Sequence, residues 1–169
     1  MQIEEIIEIV EPIKNKLYRY AVSIVRDRFV AEDIVQEAII KVWKNKAKFA
    51  EVGNQQAWIM TIVRNLAIDK IRADKKRQTS DITEHYDISD NAPTPQKKIE
   101  QKDALARVNE IMGTLPEMQR EIITLRDVEG YTYSEIADIM DITVDQVKVY
   151  LFRARKALRE KLTPWKELL

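Results

Sequence analysis

The 169-residue chain contains no cysteine, which excludes disulfide bonds and thiolate chemistry. Histidine occurs once, as His85, with no cysteine or second histidine to complete a metal site, so no metal or cofactor is expected. Glycine is scarce: Gly53, Gly113 and Gly130 each fall at an expected element boundary, and they form no glycine-rich phosphate loop. No run of β-branched residues alternates with polar ones, which argues against strands. No apolar stretch approaches the roughly 20 residues of a membrane-spanning helix, so the chain is not expected to be a membrane protein. The N-terminus, MQIEEIIEIVEP, is acidic where a signal peptide needs basic residues. The cytoplasm is therefore the expected compartment. Carboxylates are plentiful, but charged helix faces account for them. No catalytic residue and no small-molecule substrate are assigned, and the chain is not read as an enzyme.

Net charge is also missing, since 28 basic side chains balance 28 acidic ones. On its own this argues weakly against a free-standing nucleic-acid binder, but the distribution matters more than the sum. Residues 64–77 carry a net +4, residues 148–161 a net +5, and the first twelve residues a net −4. Two separate basic patches suit a protein that touches nucleic acid at two points and meets another partner elsewhere.

What is present is helical periodicity over almost the whole length, with 45% hydrophobic residues. The expected fold is all-α: two small helical domains joined by a flexible linker, the second ending in a helix-turn-helix. The expected boundaries are 1–77, 78–98 and 99–169. Within 78–95, QTSDITEHYDISDNAPTP lacks an amphipathic period and carries four acids and no base, which reads as a linker. The first domain should hold about four helices. They include 13–26, opened by Pro12, then 29–46, preceded by Asp27 as a cap, and Gln55 to about Lys76, with a loop at 46–54. In the second, a helix from about Ile99 is ended by Gly113, and Pro116 stands in the first turn of the next.

The stretch YSEIADIMDITVDQV (133–147) has the grammar of a helix-turn-helix. Thr132 with Glu135, and Thr143 with Gln146, form capping boxes at two helix starts. Asp141 stands at the turn, where Asp tolerates a left-handed backbone better than most residues. Ala137 marks a close helix crossing. In the last helix, Val144, Val147, Leu151, Ala154 and Leu158 are expected to face inward, leaving Lys148, Val149, Phe152, Arg153 and Lys156 outward.

Taken in order, three segments resemble an RNA polymerase sigma factor of the extracytoplasmic-function (ECF) type. AEDIVQEAIIKVW (31–43) is similar to the family's core-polymerase-binding helix. AWIMTIVRNLAIDKIRADKKR (57–77) is similar to its promoter −10 helix, and residues 115–158 to its −35 reading domain. The resemblance implies transcription initiation at chosen promoters, with core RNA polymerase, promoter DNA and an anti-sigma factor as partners. It also implies that Asp33, Gln36, Glu37, Ile40 and Lys44 meet polymerase; on spacing alone these residues read equally as a solvated face with small helix-internal ion pairs. For the −10 strand it points to Phe49, Asn54, Trp58, Arg64, Asn65, Asp69, Arg72, Lys75 and Lys76, with phosphate-binding cations, polar groups for base edges and an aromatic face. The bland reading makes Phe49 a core plug, and Trp43 is read as core.

For the −35 duplex the candidates are Thr143, Lys148, Val149, Phe152, Arg153 and Lys156, with Arg120, Arg126 and Arg155 as further phosphate contacts. Val149 and Tyr150 stand where the family commonly has Ser-Arg, and Val149 offers a thymine methyl an apolar contact but no hydrogen bond. The acidic linker is either a solvated spacer or a mimic of nucleic acid in the polymerase's RNA path. The alternative function is a stand-alone helix-turn-helix regulator, which would bind DNA without polymerase; an antagonist that binds polymerase without touching promoters is a further one.

Overall fold

A computed structural model describes residues 1–80 and 99–163, with the side chains of 78–80 and 99–102 left aside. The described residues are helical with no strand, as the periodicity requires. The first bundle comprises α1 (Ile3–Val10), α2 (Lys14–Val25), α3 (Arg28–Lys44), α4 (Lys46–Glu51) and α5 (Gln55–Ser80). The second comprises α6 (Ile99–Thr114), α7 (Glu117–Ile123), α8 (Tyr133–Met140) and α9 (Val144–Leu162). Most of the expected linker lies outside the described residues, as do its acids and His85. Its first residues do not belong to it, because α5 continues through Ser80.

Several boundaries follow from short-range chemistry. Asp27 caps α3, its Oδ1 accepting from the backbone N–H groups of Phe29 and Val30 at 2.9 and 3.1 Å. Arg26 is left-handed (φ 57°), so α2 stops at Val25. Pro12 lies in a 3-10 turn, Glu11–Ile13, that leads into α2. Two elements depart from expectation. The N-terminal residues form α1 with Ile6 and Val10 buried, and 46–51 is a helix rather than a loop because Phe49 anchors it in the core.

Gly113 does not end its helix, since α6 runs on to Thr114. A Cβ at Gly113 would stand 2.8 Å from Nη2 of Arg26, so the glycine admits a side chain from the first bundle. Pro116 is the N-cap of α7 rather than a residue of its first turn. After α7 the backbone widens into a π-helical stretch, Thr124–Val128.

The two bundles dock on one another. Helix α2 packs on α7 and α5 packs on α8, so buried side chains from Ile6 to Ala154 form a continuous core. Polar contacts rim this junction. Arg19 donates to both carboxylate oxygens of Glu129 at 2.5 and 3.0 Å, and Arg120 donates to the Ser23 carbonyl at 2.9 Å. Arg26 donates to the Asn109 carbonyl at 3.2 Å.

Candidate nucleic-acid interface

The helix-turn-helix forms as its local sequence dictates. The Thr132 hydroxyl accepts from the Glu135 N–H at 3.1 Å while the Glu135 carboxylate accepts from the Thr132 N–H at 2.9 Å. Thr143 and Gln146 repeat the arrangement at the start of α9 with the same two distances. Asp141 is left-handed (φ 54°, ψ 52°) and turns the chain between the helices. The Ile142 N–H donates to the Ala137 carbonyl at 3.0 Å, and Ile136, Ala137, Met140 and Val147 are buried beneath.

This core orients α9. Val147, Leu151 and Ala154 point inward, while Lys148, Val149, Phe152, Arg153 and Lys156 are all exposed, Phe152 at 69%. Val144 departs from expectation: it is 39% exposed. The outward face therefore combines cations, which suit phosphates, with two apolar side chains, which suit thymine methyl groups. Thr143 spends its hydroxyl on the cap.

Three arginines considered for phosphate contact are committed elsewhere. Arg155 pairs with Asp127, its Nε and Nη2 donating to the two carboxylate oxygens at 3.1 and 2.5 Å. The hydrogen bond to Asp127, ahead of the opposing effect of burial, raises the guanidinium above its ordinary value. Arg126 donates to the Tyr131 carbonyl at 2.9 Å and lies over the Tyr133 ring, 4.8 Å from its centre. Arg120 serves the junction described above.

The −10 candidates divide. Asn65, Asp69, Arg72, Lys75 and Lys76 line an exposed side of α5. Phe49 does not: it is fully buried (0% exposed), its ring 5.4 Å from that of half-buried Trp58, so it plugs the core and offers no face to a base in this arrangement. The physical reason is the helical turn α4, which rotates Phe49 inward. Trp43 is half-buried against the core, with the Lys46 ammonium 3.9 Å from its ring centre. Asn54 caps α5, its Oδ1 accepting from the Ala57 N–H at 3.0 Å, while its amide donates to Glu135 at 2.8 Å.

Arg64 is turned toward the second bundle. Its Nε donates at 2.8 Å to Oε1 of Glu121, which also accepts from the Tyr20 hydroxyl at 2.8 Å. Glu121 is fully buried, and its Oε2 meets no hydrogen-bond partner among the described residues. Burial lifts its carboxyl above the ordinary value, outweighing the lowering pull of Arg64 and Tyr20. Burial likewise pushes the Tyr20 hydroxyl well up, with Glu121 adding to the rise. Sequence reading missed this triad. Its one signal was an acid, Glu121, set in the apolar run Ile122, Ile123, Leu125.

On α3, Asp33, Gln36, Ile40 and Lys44 are exposed, whereas Glu37 is half-buried and lies 3.7 Å from Lys70 of α5. The polymerase-facing candidates therefore share one uncovered side of one helix.

Comparison with known proteins agrees with this layout. Residues 9–77 match the family described as Sigma-70 region 2, and residues 105–158 that described as Sigma-70, region 4. The chain is 31% identical over 157 residues to a probable RNA polymerase sigma factor, RfaY, of Xanthomonas campestris pv. campestris, covering 91% of this chain but spanning only 39% of that relative's length. It is 30% identical over 153 residues to the ECF RNA polymerase sigma factor SigM of Bacillus subtilis, covering 90% of this chain and 91% of SigM. Among solved structures, the sigma factor RpoE of Bartonella quintana, crystallised with the anti-sigma factor NepR, superposes with a TM-score of 0.67 at 26% identity, covering 92% of this chain and 97% of that one. With sigma regions 2 and 4 in order and a full-length relative at this identity, the chain belongs to the ECF family of RNA polymerase sigma factors, which direct promoter-specific initiation of transcription.

Proposed function

We propose that the chain docks on core RNA polymerase through the exposed face of α3 at Asp33, Gln36, Ile40 and Lys44, with Glu37 beside them. It reads the −35 duplex with α9 and captures the opened −10 strand with α5. The observation that carries this division is the outward face of α9, where Lys148, Val149, Phe152, Arg153 and Lys156 are uncovered while Val147, Leu151 and Ala154 hold the opposite side in the core. Lys148 and Arg153 are assigned to base edges together with Val149 and Phe152, and Lys156 to phosphate. On α5, Arg64, Asn65, Asp69, Arg72, Lys75 and Lys76 are assigned to the −10 strand, with Asn54 and Trp58 at its start.

No chemical step is assigned to this protein. Strand opening is driven by tighter binding of the opened DNA than of the duplex. No described helix is long and apolar enough to cross a membrane, and the proposed place of action is the cytoplasm with core polymerase. Because the Bartonella neighbour was crystallised with an anti-sigma factor, a comparable antagonist is proposed here.

The test is in vitro transcription on pooled genomic fragments, comparing core polymerase with and without the full chain. New start sites sharing two upstream elements are the expected result. Sequence-specific DNA binding by the protein alone, with no new starts, would point instead to a stand-alone regulator.

A further inference from the structure

The docking of the two bundles engages two of the −10 candidates and leaves the −35 and polymerase-facing sets open. Arg64 and Asn54 both donate across the junction, to Glu121 and Glu135 at 2.8 Å each. The α3 face at Asp33, Gln36 and Ile40 is exposed, and so is the α9 face at Lys148, Phe152 and Lys156. To a guanidinium, a carboxylate oxygen and a phosphate oxygen are interchangeable acceptors of charge-assisted hydrogen bonds. Glu121 thus occupies on Arg64 the place that a −10 phosphate would take.

We infer that the docked arrangement is an autoinhibitory latch, in which Glu121 and Glu135 withhold Arg64 and Asn54 from the −10 strand while the polymerase-binding and −35 faces stay available. The inference rests on the proposed assignment of Arg64 and Asn54 to −10 capture.

The latch is built to release. Glu121 is fully buried and the Arg64 side chain is 14% exposed, so separating the bundles returns both charges to water. The hydration they regain offsets much of the lost attraction. Polymerase engages α3 without first breaking the junction, then holds the bundles apart on the promoter. Free protein should accordingly read −35 duplex but bind −10 strand weakly.

The test uses the full chain without core. Because the sequence has no cysteine, Glu32→Cys and Asp138→Cys, at exposed positions on α3 and α8, place two nitroxide labels whose separation reports docking. Two substitutions open the latch by different routes. Glu121→Ala removes the acceptor shared by Arg64 and Tyr20. Arg19→Glu opposes like charges at the Arg19–Glu129 pair, and Glu129→Arg added to it restores the pairing.

Both single variants should lengthen the label distance, and the double reversal should shorten it again. Fluorescence anisotropy should then show at least about a tenfold gain for single-stranded −10 DNA, as expected when the competent fraction rises by that factor, with −35 duplex binding unchanged. The latch is overturned if unsubstituted protein is already open, if neither variant moves the labels, or if opened variants bind −10 strand no better. Arg64→Ala in holoenzyme checks the assignment separately. Normal promoter opening by that variant would remove Arg64 from −10 capture, whatever the labels report.

Discussion

Arg155 and Lys156 are adjacent, exposed and equally charged, yet only one should count in DNA binding. Arg155 is held by Asp127 at 2.5 and 3.1 Å, a pairing that cancels its charge, whereas Lys156 has no ion-pair partner among the described residues. Each phosphate neutralised on duplex DNA contributes about 0.9 to the slope of log K against log salt. Lys156→Ala should therefore make the slope shallower by about 0.9, so that its penalty shrinks by about 3.5-fold between roughly 50 and 200 mM salt. Arg155→Ala lowers the local charge by one as it uncovers the Asp127 carboxylate, but it removes no phosphate contact, because the guanidinium is already engaged. Its slope should move by less than about half as much. The assay is promoter affinity of holoenzyme at saturating core over a salt series, so that all other phosphate contacts cancel in the difference. If Arg155→Ala flattened the slope as much as Lys156→Ala, the Asp127 pairing would not persist on DNA and the division of the cations would be wrong.

Phe49→Ala should cost about 3–5 kcal/mol of stability, the usual price of emptying an aromatic core position. Thermal unfolding would report it, and a selective loss of −10 recognition at unchanged melting temperature would return Phe49 to the DNA interface. The left-handed backbone at Asp141 makes Asp141→Val costly by about 1–2 kcal/mol in chemical denaturation. Asp141→Gly should stay within about 1 kcal/mol of the parent, since relief of strain offsets the greater freedom of unfolded glycine. Docking should weaken as pH rises. Burial raises the Glu121 carboxyl against the lowering pulls of Arg64 and Tyr20, with Glu117 adding to the rise, and separation of the bundles would return it to an ordinary value. The docked state therefore holds that proton more tightly. Its stability is full below the ordinary carboxylate value and is lost as pH climbs through the raised one. The label distance should lengthen over that window, and lengthening on acidification would contradict the sign.

How far the sequence speaks depends on the range of the interaction involved. The capping boxes at Thr132 and Thr143 and the left-handed turn at Asp141 are settled within four residues, and each was legible. The outward face of α9 follows from helical spacing alone. By contrast, the inward turn of Phe49 depends on a short helix whose only warrant is the core it fills. Gly113 reads as a terminator locally, yet its reason is Arg26, far away in the chain. Arg64 and Glu121 lie 57 residues apart, and Tyr20 and Glu121 lie 101 apart. An acid within Ile122, Ile123 and Leu125 does announce that a partner must exist, because a buried charge without one is too costly. It does not say which cation answers. The −10 helix supplied several candidates, and the one chosen, Arg64, faces the second bundle rather than solvent. The sequence points Arg64 to DNA, and in the docked bundles the same guanidinium meets the buried acid that has no local partner. A conflict of this kind between local reading and packing is expected at a functional or strained site.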